Sequence, residues 1–563
     1  MKTVIAAVNS KYVHMSLAPW YLKAASADVC EIRILELTIN QDKSEILRSI
    51  YKEKPDVLGF SCYIFNISLI LEIVKDLRTI FPNIVIVLGG PEVSFDPVEI
   101  LQNNSEVDYV ICSEGEVRSN RLLTALSEGK KPSDIDGIAF RVGNQVKFNP
   151  PADFIKNLDT IASPYTEEML KSASGKIAYF ESSRGCPFSC AYCLSPQTGG
   201  VRRFSMGRVK DDLKKLMLSD VRQIKFVDRT FNCSAARAKE IIRFIIESAE
   251  SDKTGTVAKK NYHFEAAADL FDDEMIEILS SAQTGLFQLE IGIQSFNEKT
   301  LEAATRKTNI TLCEKNIKKL VSRGNMHIHL DLIAGLPYEN FESFSGSFNR
   351  IFALAPHCIQ LGFLKLLKGS SLRSEAEKYG IKYSHTPPYE VLSTPWLSYD
   401  EILKLKDIEV VVDALYNSGK FNHSFTYIIP KFNSPFNFFF KFSRYLKKFY
   451  PEGYGIPSRE LYNIFMKFSD ELLSSDDSIS LNELLKFDFF ISDNSCNPPK
   501  ALTRAELPNA RDLYAAEKST GRRVHFERFS VNPLDPVNKK SVVIKFDYTL
   551  KNPVTGHYSY SFV

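Results

Sequence analysis

Several features are missing from this sequence of 563 residues, and each absence excludes a class of protein. Its 70 Lys and Arg nearly balance its 68 Asp and Glu, for a net charge of +2, so the whole chain has no general attraction to nucleic acid. No apolar run reaches the length of a transmembrane helix, and the N-terminus lacks the pattern of a signal peptide. Only three of ten cysteines are clustered, which argues against a disulfide framework. We expect a cytoplasmic protein without a membrane partner.

The clustered cysteines are Cys186, Cys190 and Cys193, with CxxxCxxC spacing after the apolar run Ile177–Phe180. Three close thiolates can hold three irons of a [4Fe–4S] cluster and leave the fourth iron open to a small molecule. Tyr192 is placed to pack beside that molecule. A zinc site or unrelated buried thiols are the alternatives, but zinc sites usually show paired CxxC or HxxxH units, and the sequence has no second pair.

This loop resembles the cluster loop of the radical S-adenosylmethionine (SAM) enzymes, which cleave SAM reductively to a 5′-deoxyadenosyl radical. The resemblance implies that SAM binds at the open iron. It also implies an external electron donor such as flavodoxin or ferredoxin.

Residues 1–150 alternate apolar strands with amphipathic helices in five βα units, which predicts a doubly wound parallel sheet. Ligands of such sheets bind beyond the carboxyl ends of the strands. Small and polar residues cluster at the ends of strands three, four and five: Ser61-Cys62, Gly89-Gly90 and Glu114-Gly115-Glu116.

This pattern resembles the flavodoxin-like cobalamin-binding domain that precedes the barrel in one large class of radical SAM enzymes, the class B type. The resemblance implies that the residues at those three strand ends contact cobalamin. The usual DxHxxG fingerprint is not intact, because Tyr12 replaces its aspartate and Leu17 its glycine, whereas His14 is in place. His14 is therefore a candidate cobalt ligand or a histidine that lines the pocket. A flavodoxin-like fold without a ligand is the alternative for the whole domain.

Residues 151–170 are predicted to form a linker, and residues 171–370 return to strand–helix alternation at a longer spacing. Six strands, beginning with Ile177–Phe180, fit a partial (βα)6 TIM-type barrel. The active sites of such barrels lie at the carboxyl ends of the strands.

Polar side chains recur in these otherwise apolar strands, where an unpartnered carboxylate is costly to bury. SAM needs carboxylates for its ribose and ammonium groups and a cation for its carboxylate. The candidates are Asp228, Glu265, Glu290, Gln294, Asp331 and Arg306, together with Tyr192. For each carboxylate, pairing with a nearby Lys or Arg is the alternative. His327 and His329 point to one face of a strand, either for packing and hydrogen bonding or as a metal pair.

The stretches EIGIQS and DLIAGLP, residues 290–295 and 331–337, resemble the fourth and fifth barrel strands of radical SAM enzymes. The resemblance therefore covers about residues 1–370.

Residues 371–563 are predicted to form a mixed, largely helical domain that caps the barrel and selects the substrate. The region resembles an uncharacterised C-terminal extension found in one subgroup of cobalamin-type radical SAM proteins. Its aromatic stretch, residues 434–450, fits either a core helix or a platform for single-stranded nucleic acid. Cys496 is either a site thiol or a surface cysteine.

Together these features predict a monomeric cobalamin-dependent radical SAM enzyme that modifies an unactivated carbon, by methyl transfer. A cobalamin-independent radical SAM enzyme is the first alternative, and a zinc-containing nucleic-acid-binding protein is the second. The sequence does not identify the substrate, small molecule or macromolecule.

Overall fold

The computed structural model describes residues 1–151, 153–453, 455–518, 521–536 and 540–563. The chain divides into two compact units. The first contains Met1–Leu270, Ala304–Lys307 and Leu364–Leu392, and the second contains Phe271–Ala303, Thr308–Phe363 and Ser393–Val563. Each unit thus holds part of the predicted barrel, and the predicted domain boundaries stay a prediction.

The first unit begins with a seven-stranded sheet in the order β2-β1-β3-β4-β5-β6-β7. Its strands are β1 Thr3–Asn9, β2 Ile32–Thr38, β3 Val57–Ser61, β4 Val85–Gly89, β5 Tyr109–Ile111, β6 Ile138–Val142 and β7 Gln145–Asn149. Strands β1 to β5 are parallel, as expected from the five βα units. The antiparallel hairpin β6–β7 extends the sheet at its edge.

Six helices cover this sheet: α1 Leu17–Ala25, α2 Lys43–Glu53, α3 Ile67–Ile80, α4 Pro91–Ser94, α5 Pro97–Asn103 and α6 Glu116–Ser127. The apolar spacing of residues 93–101 predicts a single helix there, and this prediction is wrong, since the chain breaks into α4 and α5. Pro97 explains the break, because proline lacks the N–H that a continuing helix needs and is favoured at a helix start.

The two faces of the sheet are packed differently. Leu58 and Phe60 of β3 point into a large core that α2, α3 and α5 complete. Val57, on the other face, belongs to a smaller core that includes Leu122 and Leu123 of α6. The second face therefore has room for something other than side chains.

The strands and helices of the predicted barrel follow in the expected alternation. They are α7 Glu167–Ser172, β8 Ile177–Phe180, β9 Ser183–Arg184, β10 Arg202–Arg203, α8 Met206–Met217, β11 Gln223–Phe226, α9 Ala235–Ser251, β12 Asn261–Ala266, α10 Asp273–Ser281, β13 Phe287–Gln294, α11 Glu298–Ala303, α12 Ile310–Arg323, β14 His327–Ala334, α13 Phe341–Ala353 and β15 Cys358–Phe363. In the first unit β8 and β12 lie parallel on either side of β11. In the second unit β13 and β15 lie parallel on either side of β14.

The rest of the chain is mostly helical and ends in a three-stranded antiparallel sheet. Its elements are α14 Ser371–Ser374, β16 Lys382–Tyr383, β17 Val391–Ser393, α15 Tyr399–Val411, α16 Asn422–Ile428, α17 Pro435–Leu446, α18 Ser458–Asp470, α19 Ser475–Ser492, α20 Ala510–Lys518, β18 Val524–Phe529, β19 Val542–Lys551 and β20 Tyr558–Phe562. The prediction of a mixed, largely helical region is confirmed.

The aromatic stretch is a core helix, α17. Phe438, Phe439 and Phe442 are fully buried and pack against Phe465 and Phe348 of neighbouring helices. Each buried phenylalanine contributes about 2 kcal/mol by leaving water. These rings are therefore not available as a stacking platform for bases. Among the described helices, none has both the length and the apolarity needed to cross a membrane.

Candidate cofactor sites

The three cysteines lie in a loop between the short strands β9 and β10. All three are free thiols, and Cys190 is buried while Cys186 and Cys193 are half-buried. Sγ of Cys186 lies 3.4 Å from the Thr230 hydroxyl, and Sγ of Cys193 accepts a 3.4 Å hydrogen bond from the Ser195 backbone N–H. Within the described parts of the chain, no group of three or more His, Cys, Asp or Glu is arranged to hold a single metal ion.

Tyr192 and Arg306, both predicted to bind SAM, lie together beside one cysteine. Nη1 of Arg306 donates to the Tyr192 hydroxyl at 3.2 Å and lies 3.7 Å from Sγ of Cys190. The backbone N–H of Ala191 donates to the carbonyl of Ala304, and this hydrogen bond holds the segment that carries Arg306 beside the cysteine loop. Burial is the main reason that the pKa of Tyr192 is raised. A half-buried arginine cation, Arg306, thus lies next to the cysteine loop.

Asp228 is fully engaged by the residues that precede the cysteines. It accepts hydrogen bonds from the backbone N–H and hydroxyl of Ser182, at 3.0 and 2.6 Å, and from the hydroxyl of Ser183. Burial raises its pKa, and these hydrogen bonds oppose that rise. Asp228 thus anchors the start of the cysteine loop, and its contact with SAM stays a prediction.

Glu265 and His14 both lie near Tyr179 of β8. Burial, followed by the neighbouring Tyr63 and Glu265, raises the pKa of Tyr179. Nδ1 of His14 lies 2.9 Å from the Tyr179 hydroxyl, and the backbone of residues 13–15 pairs with Ile177 at the start of β8. Burial, then the charges of two lysines, lowers the pKa of His14. His14 therefore contacts a strand that follows the sheet domain, a partner that the sequence did not suggest.

The remaining predicted SAM residues lie on β13 and β14 of the second unit. Gln294 has a left-handed backbone, with φ +74°, at a register shift between the two strands. A Cβ atom on Gly292 would lie 2.0 Å from Nε2 of Gln294 and 3.8 Å from Oδ2 of Asp331. The end of the Gln294 side chain thus lies over Gly292 and would have to move if a larger residue stood there, whereas Asp331 is at ordinary contact distance.

Glu290 and His329 are partners in the same strand pair, and Nε2 of His329 lies 3.1 Å from Oδ1 of Asp331. Burial alone would lower the pKa of His329, but hydrogen bonds to Asp331 and Cys358 outweigh it and raise that pKa to about 10. Between the open alternatives for His329, the geometry favours hydrogen bonding over a metal pair with His327, whose ring lies near His357.

An apolar cavity of about 150 Å³ lies on the less filled face of the first sheet. Its floor is formed by β1, β3 and β4, and its walls are formed by α1 and α6. Four of the predicted cobalamin residues line it, namely Ser61, Gly89, Gly90 and Gly115, together with Ser113, the neighbour of Glu114. Gly59 also lines it, where a larger side chain would occupy the space. The cavity leads from the sheet face to the carboxyl ends of the strands, where the sequence placed the ligand.

Gly90 and Cys62 shape one end of this cavity. Gly90 has φ +110°, and a Cβ atom there would lie 2.6 Å from the carbonyl oxygen of Cys62, so the position requires glycine. The Cys62 side chain itself belongs to the core on the opposite face. Only the backbone of Cys62 is therefore close to the predicted ligand position.

Glu114 and Glu116 have partners that the sequence did not predict. Both oxygens of Glu114 accept hydrogen bonds from Nη1 of Arg202 at 2.9 Å, and Oε1 also accepts from Arg184 at 3.0 Å. Arg184 further pairs with Glu116 and with Glu181. The only sequence signal for Arg184 was its position two residues before the first cysteine. The proposed contacts of Glu114 and Glu116 with cobalamin stay predictions.

A second unpredicted contact comes from the segment after the barrel. The hydroxyl of Tyr389 donates to Glu92, which follows the Gly89-Gly90 pair, and Arg373 stacks on the Tyr389 ring at 4.5 Å. Lys368 forms an ion pair with Asp96 at 3.3 Å. Nothing in the local pattern of residues 364–392 indicated these contacts.

Comparison with known families agrees with this arrangement of domains. The family described as B12 binding domain matches residues 3–123, and the radical SAM superfamily matches residues 180–351. A family described as a protein of unknown function, DUF4080, matches residues 377–558. The chain therefore contains a region that matches B12-binding domains followed by one that matches radical SAM proteins, in the order that its first sheet and cysteine loop predicted.

One curated relative is similar to this chain over half of its own length. TokK of Streptomyces tokunonensis, a cobalamin-dependent radical SAM methyltransferase, is 28% identical over 348 residues, which cover 58% of this chain and 50% of TokK. The chain thus spans half the length of that relative.

Two solved structures share the fold. TsrM from Kitasatospora setae, a radical SAM methyltransferase solved with cobalamin and a [4Fe–4S] cluster, matches with a TM-score of 0.56 and 19% identity over 69% of this chain and 79% of TsrM. The cobalamin-dependent SAM radical enzyme OxsB, solved with aqua-cobalamin and SAM, matches with a TM-score of 0.59 and 14% identity over 87% of this chain and 83% of OxsB. The predicted fold class is confirmed.

Proposed function

We propose that this protein is a cobalamin-dependent radical SAM enzyme that methylates an unactivated carbon of its substrate. The observation that carries the proposal is that one compact unit contains both the three-cysteine loop and a sheet domain with an apolar cavity beneath its glycine pair. TokK and TsrM are methyltransferases, which supports the reaction type.

The residues of the loop fit a [4Fe–4S] cluster and SAM. Cys186, Cys190 and Cys193 supply three thiolates, the number that leaves one iron open. Arg306 provides a half-buried cation beside Cys190, suited to the carboxylate of SAM. When bound, the [4Fe–4S] cluster would supply the electron for reductive cleavage of SAM, and cobalamin would supply the methyl group to be transferred.

The cavity fits the apolar part of a cobalamin nucleotide tail. Large empty apolar cavities are unusual in protein cores, which are close-packed. Here α6 lies above the sheet with Ser119 and Leu122 facing the gap, and Gly59 leaves the floor open. The proposal includes His14 as a cobalt ligand. Its Nδ1 lies near the Tyr179 hydroxyl, which leaves Nε2 as the ring nitrogen for cobalt.

The proposal includes partners outside the chain. Cleavage of SAM needs one electron, for which a donor such as flavodoxin or ferredoxin is the expected source. The substrate is not specified, and we propose that residues 371–563 contribute to its selection. A monomer in the cytoplasm is part of the same proposal.

The cysteine loop gives the first test. Replacing Cys186, Cys190 or Cys193 by Ala is expected to lower the iron content of anaerobically reconstituted protein from about four per chain to near zero, and to abolish SAM cleavage to 5′-deoxyadenosine under dithionite. Cys496→Ala is the matched control, because Cys496 is exposed and lies outside the loop. Full iron content and SAM cleavage in the loop variants would contradict the proposal.

The cavity gives the second test. Gly59→Val places a branched side chain into the cavity and is expected to weaken retention of hydroxocobalamin at least tenfold while iron content stays unchanged. Gly59→Ala is the graded control, because a Cβ atom there meets only ordinary contacts, 3.6 Å from Ile5. If the unaltered protein binds iron but no cobalamin, a cobalamin-independent radical SAM enzyme becomes the better assignment.

A further inference from the structure

The cysteine loop is closed at a narrow neck. Arg184 of β9 and Arg202 of β10 are Cα partners in an antiparallel pair, so residues 185–201 leave and return at one point. Gly185 has φ +94°, and a Cβ atom there would lie 1.9 Å from the carbonyl oxygen of Gly200. The two sides of the neck can approach this closely only because Gly185 has no side chain.

Both arginines of the neck bind the same carboxylate. Nη1 of Arg184 and Nη1 of Arg202 lie 3.0 and 2.9 Å from Oε1 of Glu114, in the turn between β5 and α6. Oε2 of Glu114 accepts from Arg202 at 2.9 Å and from the backbone N–H of Ile155 at 2.7 Å. Three donor atoms therefore hold the carboxylate, and Nη1 of Arg202 is shared between its two oxygens.

The surroundings of Glu114 are buried. The side chains of Glu114, Arg184 and Arg202 are only 11–12% exposed, and that of Glu116 is 8% exposed. Arg184 is held by two further carboxylates, Glu116 and Glu181. Charge-assisted hydrogen bonds with such limited access to water are strong and geometrically specific.

We propose that Glu114 is a positioning residue that fixes the neck of the cysteine loop to the β5–α6 turn of the B12-binding domain. It thereby sets the separation between the cluster and cobalamin. In this proposal the Glu114 carboxylate serves the neck and not cobalamin, because its oxygens already accept from Arg184, Arg202 and the Ile155 N–H. The role in cofactor separation relies on the proposed function, which supplies the cluster and cobalamin. The attachment of the neck to Glu114 does not depend on either cofactor.

The test compares Glu114→Gln with Glu36→Gln in the full-length protein. Glutamine retains one acceptor oxygen but presents an NH2 group toward the guanidinium groups, so the neck loses its attachment. Glu36 also joins the sheet domain to the segment before the loop, through an ion pair with Lys176 at 2.8 Å and similar burial, but it does not touch the neck.

Two measurements are made on each variant. Hydrogen–deuterium exchange of the cofactor-free chain is expected to be at least about tenfold faster in residues 185–201 of Glu114→Gln, and unchanged in Glu36→Gln. In reconstituted protein, pulsed EPR measures how strongly the reduced cluster accelerates spin relaxation of cob(II)alamin. That acceleration is expected to change in Glu114→Gln alone, at equal iron and cobalamin content.

The outcomes distinguish the two proposals. Wild-type exchange and wild-type relaxation in Glu114→Gln would overturn the positioning role, as would equal effects in Glu36→Gln. If Glu114→Gln does not fold, Arg202→Gln removes one of the two cations that bind Glu114, and unchanged exchange there would overturn the role equally. If the wild-type protein binds no cobalamin, the proposed function fails while the exchange experiment still decides the attachment.

Discussion

Glu114 and Glu339 are the same amino acid in similarly enclosed surroundings, yet their pKa values move in opposite directions. Burial raises the pKa of a carboxyl group in both cases. At Glu114 the Ile155 N–H and two arginines outweigh burial, and the pKa falls below its ordinary value. At Glu339 burial prevails, and the pKa rises to about 7.

The difference lies in the donors. Glu339 follows β14 in the second unit, is 1% exposed, and accepts from the hydroxyls of Ser295 and Ser347 at 2.6 and 3.3 Å. Among the residues that the structure describes, its Oε2 has no hydrogen-bond partner. Two neutral hydroxyls do not replace the water that a carboxylate loses, whereas two guanidinium groups and an amide do. Glu114 is therefore built to be an anion and Glu339 to accept a proton near neutral pH.

The largest expected effect comes from removing a cation from the first site. Arg202→Gln leaves the buried Glu114 with one arginine and is expected to lower the free energy of unfolding at pH 7 by about 3 kcal/mol. Urea unfolding of the cofactor-free protein measures this change.

The control for this prediction is Lys156→Gln, which removes an ion pair with Asp153 whose side chains are 88% and 76% exposed. Exposed pairs contribute little, so no measurable change is expected. Equal loss in both variants would show that burial does not decide the strength of these pairs.

The smaller expected effect has the opposite sign and depends on pH. Because the pKa of Glu339 is raised from 4.5 to about 7 in the folded state, the folded state binds the extra proton, and this stabilisation is lost as pH rises from about 4.5 to 7. Glu339→Gln is expected to raise the free energy of unfolding at pH 8 by at most about 3 kcal/mol and to leave it nearly unchanged at pH 4.5.

The pH dependence of the difference between the two proteins isolates Glu339 from other titrating groups. A constant difference across this range would mean that Glu339 titrates normally. A loss of stability in Glu339→Gln at pH 8 would mean that a cation stabilises the carboxylate after all.

Local patterns were sufficient for the elements of the fold. Period-two and period-3.6 spacing predicted the five parallel strands of the first sheet, the six barrel strands and helix α17, because burial of one face follows directly from side-chain order. The break at Pro97 was missed, although proline is a local signal. The spacing of Cys186, Cys190 and Cys193 predicted a [4Fe–4S] cluster, because cluster ligation requires thiolates at close range, and the resemblance of this loop to a known family then implied the radical SAM class.

Contacts between distant segments were not predictable in this way. Glu114 was assigned to cobalamin because it follows a strand, yet its carboxylate binds arginines 70 and 88 residues further along the chain. His14 and Tyr179, 165 residues apart, are likewise joined only by the fold. The spacing of apolar residues does not indicate which strand end faces which loop, since that depends on how sheets and helices pack against one another.

The sequence by itself indicated the order of the elements, the cysteines proposed as cluster ligands and the glycines that permit close backbone approach, because each depends on local chemistry or on a few neighbouring residues. Only the tertiary structure decided which face of the first sheet keeps a cavity, and which carboxylates become anions or protonated acids. Those properties depend on the volume and charge that distant segments bring to one place. This difference between local patterns and distant contacts explains why the radical SAM family was predictable from the sequence, whereas the contacts at the neck of the cysteine loop were not.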